Sequence, residues 1–138
     1  MIRISIVVAA LLLLAQTATA SASTACAGPD PAIVSAAVKG VSADGGLNRY
    51  LLSGTVENLG NAAQASNTLQ SVDIYKGSEK LDAKSIPPLK PGQSYVFSYV
   101  SVRSRDAGKG TTKLTFQLDV RQPSQNCNAG NDRYSVNF

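Results

Sequence analysis

Residues 112–121 read Thr-Lys-Leu-Thr-Phe-Gln-Leu-Asp-Val-Arg, and apolar and polar side chains alternate from Lys113 to Arg121. Successive side chains of a β-strand point to opposite faces, so this alternation predicts a strand with one face buried and one in water. It is the clearest strand in the sequence. Its pattern favours a β-domain over a helical one.

Similar short runs recur along the chain, and no segment after the first 22 residues keeps helical apolar spacing for three turns. We predict further strands at residues 32–41, 50–57, 71–75, 80–86, 95–102 and 133–138. About seven short strands in roughly a hundred residues are typical of an immunoglobulin-like sandwich. The predicted fold is therefore all-β, with two sheets in a single domain.

The segments between these runs are rich in Gly, Pro, Asn and Asp. Turns are predicted at residues 42–46, 58–61, 76–79 and 106–110, where Gly or Asn adopts positive φ at little cost. Residues 87–92 contain three prolines, which cannot donate ladder hydrogen bonds. We expect that segment to carry the chain from one sheet to the other.

The predicted strand at residues 95–102 has apolar side chains on both faces. Its rings share one face, namely Tyr95, Phe97 and Tyr99. Its aliphatic side chains share the other, namely Val96, Val100 and Val102. Such a strand is either covered on both sides or exposes an aromatic face. We take the three rings as candidate contacts for a sugar or peptide, with core packing as the alternative.

Residues 1–22 have the layout of a secretory signal peptide. Arg3 precedes a short apolar run that ends at Gln16, too early for a membrane-spanning helix. Small residues at 18–20 and 20–22 provide two plausible cleavage sites. A membrane anchor, or a lipid on Cys26, is the alternative. We expect a secreted or periplasmic domain at residues 23–138 with no membrane span.

The chain contains two cysteines, Cys26 and Cys127, which bracket nearly all of this domain. Two thiols in an exported chain usually pair, because the compartments outside the cytosol are oxidising. In a sandwich, the start of the first strand and the loop before the last strand lie at the same end. We therefore predict a disulfide that closes that end.

Composition excludes most catalytic chemistry. The chain has no histidine, so Ser-His-Asp and Cys-His catalysis and His-based metal sites are excluded. Its 13 Lys and Arg residues are scattered, which argues against a nucleic-acid partner. The one tight group, Arg103, Arg105 and Lys109, surrounds a predicted turn and is more typical of a solvated loop than of an anion site. We expect no enzyme activity and no cofactor, and we expect a monomer.

One polar cluster has the oxygen-bearing side chains that calcium prefers. Its members are Asp119, Asn126, Asn128, Asn131 and Asp132. Such Asn, Asp and Gly clusters are more often turn formers. Calcium is therefore an alternative rather than the prediction, which is that no metal binds.

Several stretches together resemble the bacterial cell-adhesion-related domain, CARDB. They are Pro29-Asp30, residues 54–62 (Gly-Thr-Val-Glu-Asn-Leu-Gly-Asn-Ala), residues 72–77, residues 89–94 and the Asn-rich region within 119–132. The resemblance implies a seven-stranded sandwich that takes part in adhesion or protein interaction. From the resemblance and the missing catalytic groups, we expect a binding module for a protein or glycan of the envelope or cell surface. A structural or assembly accessory protein and a carbohydrate-binding module are the alternatives.

Overall fold

The computed structural model describes residues 26–138, and the predicted signal peptide lies outside the described residues. Within them the chain forms seven β-strands in two antiparallel sheets, which confirms the all-β prediction. The strands are β1 (Pro31–Asp44), β2 (Leu47–Asn58), β3 (Gln70–Lys76), β4 (Glu79–Ile86), β5 (Ser94–Ser104), β6 (Lys113–Val120) and β7 (Arg133–Asn137).

The two sheets are of unequal size. One has the order β1-β2-β5 and the other the order β4-β3-β6-β7. The pairs β1–β2, β3–β4 and β6–β7 are neighbours in one sheet, whereas the other three connections cross between sheets. The proline-rich segment 87–92 makes one of these crossings, from β4 to β5, as predicted. The result is an immunoglobulin-like sandwich of three strands on four.

The first hairpin is longer than its sequence pattern predicts. Residues 42–44 fall within β1, and the turn contracts to Gly45 and Gly46. Gly45 has a φ of 58°, a conformation that is cheap only for glycine. A two-residue turn lets pairing continue to the tip, where Asp44 opposes Leu47.

The core lies between the sheets and takes residues from both. The ring of Phe97 on β5 faces that of Phe116 on β6, with centroids 5.4 Å apart. The alternation noted in residues 112–121 is confirmed, because Leu114, Phe116 and Leu118 are all buried. The largest fully buried apolar side chains are those of Leu52, Val56, Val72, Ile74, Leu89, Leu114 and Phe116.

A single buried amide holds the loops at one end of the sandwich. The side-chain oxygen of Asn58 accepts from the N–H groups of Asp30 and Gly60, at 2.9 and 3.0 Å. Its Nδ2 donates to the carbonyl oxygens of Ala62 and Leu89, at 2.9 and 3.0 Å. Both donors and both acceptor positions of the amide are used, so these hydrogen bonds compensate for the cost of removing it from water.

The disulfide closes the same end. Cys26 and Cys127 are bonded, with Cα atoms 6.0 Å apart and a sequence separation of 101. The N–H of Cys127 also donates to the carbonyl oxygen of Pro29 at 2.9 Å. The segment that precedes β1 is therefore fixed covalently, and by hydrogen bonding, to the loop between β6 and β7.

Candidate interaction surface

The three candidate aromatic residues lie on the inner face of β5. Phe97 is in the core with 4% of its surface exposed, and Tyr99 packs half-buried against the core. Burial raises the pKa of the Tyr99 phenol. Tyr95, with 39% of its surface exposed, is the most exposed of the three. The structure thus aligns the three rings on one strand face but does not present them together to solvent.

The opposite face of β5 is apolar and exposed. Val96, Val100 and Val102 are exposed to 63%, 46% and 47%, and Leu51, which opposes Val100 on β2, to 44%. We call Leu51, Val96, Val100 and Val102 the valine face. Single exposed apolar residues are ordinary. Here Leu51, Val100 and Val102 are neighbours, with Val96 beyond Ser98 on the same face, which makes this face a candidate interaction surface.

Small side chains shape this face. A shallow depression of about 350 Å³ lies beside Leu51 and Val100 and is also lined by Gly40, Ser42 and Arg49. Its lining includes one positive charge and no carboxylate. The ion pair between Arg49 and Asp44 spans 4.0 Å with both side chains exposed, which leaves Arg49 free to turn to another partner.

The outer face of the four-stranded sheet is different. Asp73, Gln117 and Arg133 lie side by side on β3, β6 and β7, as do Tyr75, Thr115 and Ser135. Arg133 donates to the Oε1 of Gln117 at 2.9 Å, and Lys80 donates to a carboxylate oxygen of Asp73 at 2.6 Å. These polar groups bond to one another across the sheet. The valine face of the three-stranded sheet therefore has no counterpart on the outer face of the four-stranded sheet.

The predicted oxygen-rich cluster is partly assembled. Asp119, Asn126 and Asp132 line one depression of about 270 Å³. Asn126, however, donates its Nδ2 to both carboxylate oxygens of Asp132 at 2.9 Å, in the place where a cation would bind. Asn128 accepts from the N–H of Gly130. Asn131 donates to both carboxylate oxygens of Asp30, at 3.1 Å.

The bond of Asn128 is typical of a turn-forming residue. That of Asn131 is long-range and joins the loop before β7 to the segment before β1. Asp132 is buried, and its burial raises the pKa of its carboxyl, with the charge of Asp30 acting in the same direction. Among residues 26–138, no group of three or more His, Cys, Asp or Glu side chains is placed to hold a metal ion.

A cleft opens at the end of the sandwich far from the disulfide. It encloses about 550 Å³ and is lined by Val38, Tyr50, Arg103, Lys109 and Phe138, among others. The guanidinium of Arg103 lies 4.5 Å from the Tyr50 ring centroid and 5.2 Å from that of Phe138. It donates to the Tyr50 hydroxyl at 2.9 Å and to the main-chain oxygen of Phe138 at 2.7 Å.

This use of Arg103 was not anticipated from the sequence, where it reads as part of a basic loop with Arg105 and Lys109. The structure places it on β5, and its Nη atoms bond to protein acceptors. The contact lowers the pKa of the Tyr50 hydroxyl. Arg103 therefore closes the end of the core through its Nη atoms, whereas its buried Nε has no hydrogen-bond partner within the described residues.

Between residues 26 and 138 there is no free cysteine and no helix long and apolar enough to cross a membrane. Comparisons with family models, with curated proteins and with solved structures found no match to this chain. The valine face is accordingly the candidate site, on its geometry alone.

Proposed function

We propose that this chain is a non-catalytic binding module that recognises another macromolecule of the envelope or cell surface through the valine face. The observation that carries the proposal is the contrast between the two sheets. One outer face is polar and bonded to itself, whereas the other exposes Leu51, Val96, Val100 and Val102. Partner binding removes such apolar surface from water, which is favourable in rough proportion to its area.

Export of the chain is part of the proposal. The bond between Cys26 and Cys127 supports it, because structural disulfides persist in oxidising compartments and are rare in the cytosol. The apolar run at residues 4–15 supports it independently. The resemblance to CARDB favours adhesion or protein interaction as the purpose of the binding.

Two alternative functions differ from the proposed one in the kind of partner that the chain binds. A structural or assembly role would use the same face against another subunit. A carbohydrate-binding module would instead need exposed rings to stack on sugars, and the burial of Phe97 between the sheets removes the central ring of the predicted aromatic site. A protein partner is therefore favoured over a glycan.

The test is affinity capture from envelope extracts with three forms of the mature protein. Val100→Lys places a charge in the middle of the valine face. Leu69→Lys places one at an apolar residue of the β2–β3 loop that is at least as exposed, at 61% against 46% for Val100. We expect wild type and Leu69→Lys to recover the same partner at near-native abundance and Val100→Lys to lose it. No specific partner, or capture that survives Val100→Lys, would contradict the proposal.

Glycan binding is checked separately on a glycan array. Binding that disappears in Tyr95→Ala and persists in Val100→Lys would replace the protein partner with a carbohydrate, since Tyr95 is the exposed ring of β5.

A further inference from the structure

The two sheets end in four edge strands, which are β1, β5, β4 and β7. An open edge displays unpaired N–H and C=O groups to any strand that approaches, so proteins block edges with bulges, charges or short strands. The four edges of this sandwich can be compared directly, and they differ.

Three edges carry such protection. β1 is interrupted by two register shifts, at Val34 and Lys39. β4 has a register shift and a row of charges, and β7 is only five residues long and begins with Arg133. The charged residues of β4 are Glu79, Lys80, Asp82 and Lys84.

β5 carries no such protection. It has 11 residues, its register with β2 is unbroken, and it has no proline. Between Ser94 and Val102 it has no charged side chain, although the whole chain carries a net charge of +4. β4 passes near its first half but belongs to the other sheet and pairs with β3.

Hydrogen bonds at the two ends of β5 show which main-chain groups face outward. The N–H of Asn58 donates to the carbonyl oxygen of Gln93 at 3.1 Å. At the other end, the N–H of Arg105 donates to the carbonyl oxygen of Gly46 at 2.9 Å. Both pairs continue the β2–β5 register. Bonded and non-bonded pairs alternate in an antiparallel ladder, so odd-numbered residues of β5 bond to β2. The even-numbered residues direct their N–H and C=O groups to the open edge, and all are exposed: Ser94, Val96, Ser98, Val100, Val102 and Ser104.

We propose that this edge pairs with the same edge of a second copy of the chain, in antiparallel orientation about a two-fold axis at Tyr99. In that register Val96 opposes Val102 of the second copy and Ser98 opposes Val100. Ser94 opposes Ser104, so every outward-facing residue of one copy meets an outward-facing residue of the other. The pairing joins two three-stranded sheets into one of six strands.

A second copy fits this edge better than an unrelated strand for two reasons. The segment itself is uncharged, and the neighbouring Lys84 of β4 is paired with Asp82 at 2.7 Å. Two positively charged molecules therefore meet where neither presents an unpaired charge. In addition, β5 is the one unprotected edge of the four described, so pairing of β5 with itself closes after two copies, whereas pairing with a different edge would continue into a fibre. The inference departs from the monomer expected from the sequence.

The dimer would also enlarge the valine face. The side chains of the even-numbered residues point to the outer face of the sheet, and pairing leaves them there. Val96 of one copy would lie beside Val102 of the other, which makes the two valine faces continuous. The dimer does not depend on the proposed partner binding, and each can fail without the other.

The test combines sedimentation with hydrogen exchange over a range of protein concentrations. We expect a dimer that dissociates on dilution, and slower amide exchange on dimerisation at Val96, Ser98, Val100 and Val102. The odd-numbered amides already bond to β2 and should change little. A dimer formed by sheets stacked face to face would not protect alternate amides of β5. A dimer that lacks this alternating protection therefore overturns the proposal. A protein that is still monomeric at millimolar concentration overturns it as well.

Ser98→Pro removes one edge donor from each copy without removing a bond to β2, and Ser98→Ala is the matched control that keeps the donor. Two lost hydrogen bonds per dimer should weaken dimerisation about tenfold or more, with Ser98→Ala close to wild type. A folded Ser98→Pro protein that dimerises like wild type overturns the proposal. Partner capture by a protein that stays monomeric would overturn the dimer and leave the proposed function standing.

Discussion

Gly54 on β2 lies directly beneath the ring of Phe97 on β5. The two residues oppose each other in the register of the three-stranded sheet, and both are buried. A Cβ at Gly54 would lie 2.7 Å from Cε1 and 2.9 Å from Cε2 of Phe97, which is closer than carbon atoms pack. The missing side chain is therefore what lets the ring lie against its own sheet and reach Phe116 on the other.

We expect Gly54→Ala to lower the free energy of unfolding by about 1–3 kcal/mol, because the added methyl forces Phe97 out of its position. Urea denaturation followed by tyrosine fluorescence measures the change. Gly40→Ala is the matched control, since it adds the same methyl to β1, where a Cβ meets no atom within 4 Å. Equal effects of the two substitutions would contradict this explanation.

Much of the fold could be predicted because alternation and turn residues act locally. Leu114, Phe116 and Leu118 were assigned to the core from period two alone, and the hairpin around Gly77 from its short glycine-containing loop. The disulfide followed from topology, which brings the start of the first strand to the loop before the last.

The candidate site was harder to predict because β5 is apolar on both faces. Alternation separates its rings from its valines but does not say which set faces the core. The second sheet decides this, because Phe116 packs against the ring side. The sequence did contain one usable signal, since the even-numbered residues of β5 include serines, and a buried face would seldom alternate Val with Ser.

The position of Arg103 is hard to predict for a related reason. It follows Tyr95, Phe97 and Tyr99 in the same odd-numbered series, so strand parity places it on the inner face. Its nearness in sequence to Arg105 and Lys109 suggested a solvated loop instead. The ladder extends through Ser104, and only the long pairing of β5 with β2 reveals this.

We expect Arg103→Met to raise the pKa of Tyr50 toward its ordinary value of 10.0. Arg103 lowers that pKa mainly through the hydrogen bond between its Nη2 and the Tyr50 hydroxyl, which favours the phenolate. A pH titration of the Tyr50 ring signals by NMR measures the change. Lys109→Met should have a smaller effect, because Lys109 acts only through its charge. An unchanged Tyr50 pKa in Arg103→Met would show that the bond does not persist in solution.

Loss of the disulfide should destabilise the domain strongly. In the chain-entropy model a bond that closes a loop of this length contributes up to about 4–5 kcal/mol, by restricting the unfolded chain. We expect the double variant Cys26→Ala and Cys127→Ala, and the reduced wild type, to unfold at a lower temperature and lower urea concentration. The melting temperature of the double variant should not change when reductant is added. Equal melting of oxidised and reduced wild type would show that the bond contributes no stability.

The buried carboxyl of Asp132 should give the domain a distinct pH dependence. Its pKa is raised from the ordinary 3.8, chiefly by burial, so the folded chain holds this proton more tightly than the unfolded chain does. Its contribution to stability is therefore complete below pH 3.8 and is lost as the pH rises through the folded-state pKa.

Asp132→Asn removes this titration and keeps an oxygen that can accept from Asn126. We expect the variant to gain stability relative to wild type as the pH rises from acid toward neutral, measured as the free energy of unfolding in urea at each pH. Asp119→Asn removes the same charge from an exposed residue of the same depression, so it serves as the control. If the two variants follow the same pH profile, the burial of Asp132 in the loop before β7 is not what governs its titration.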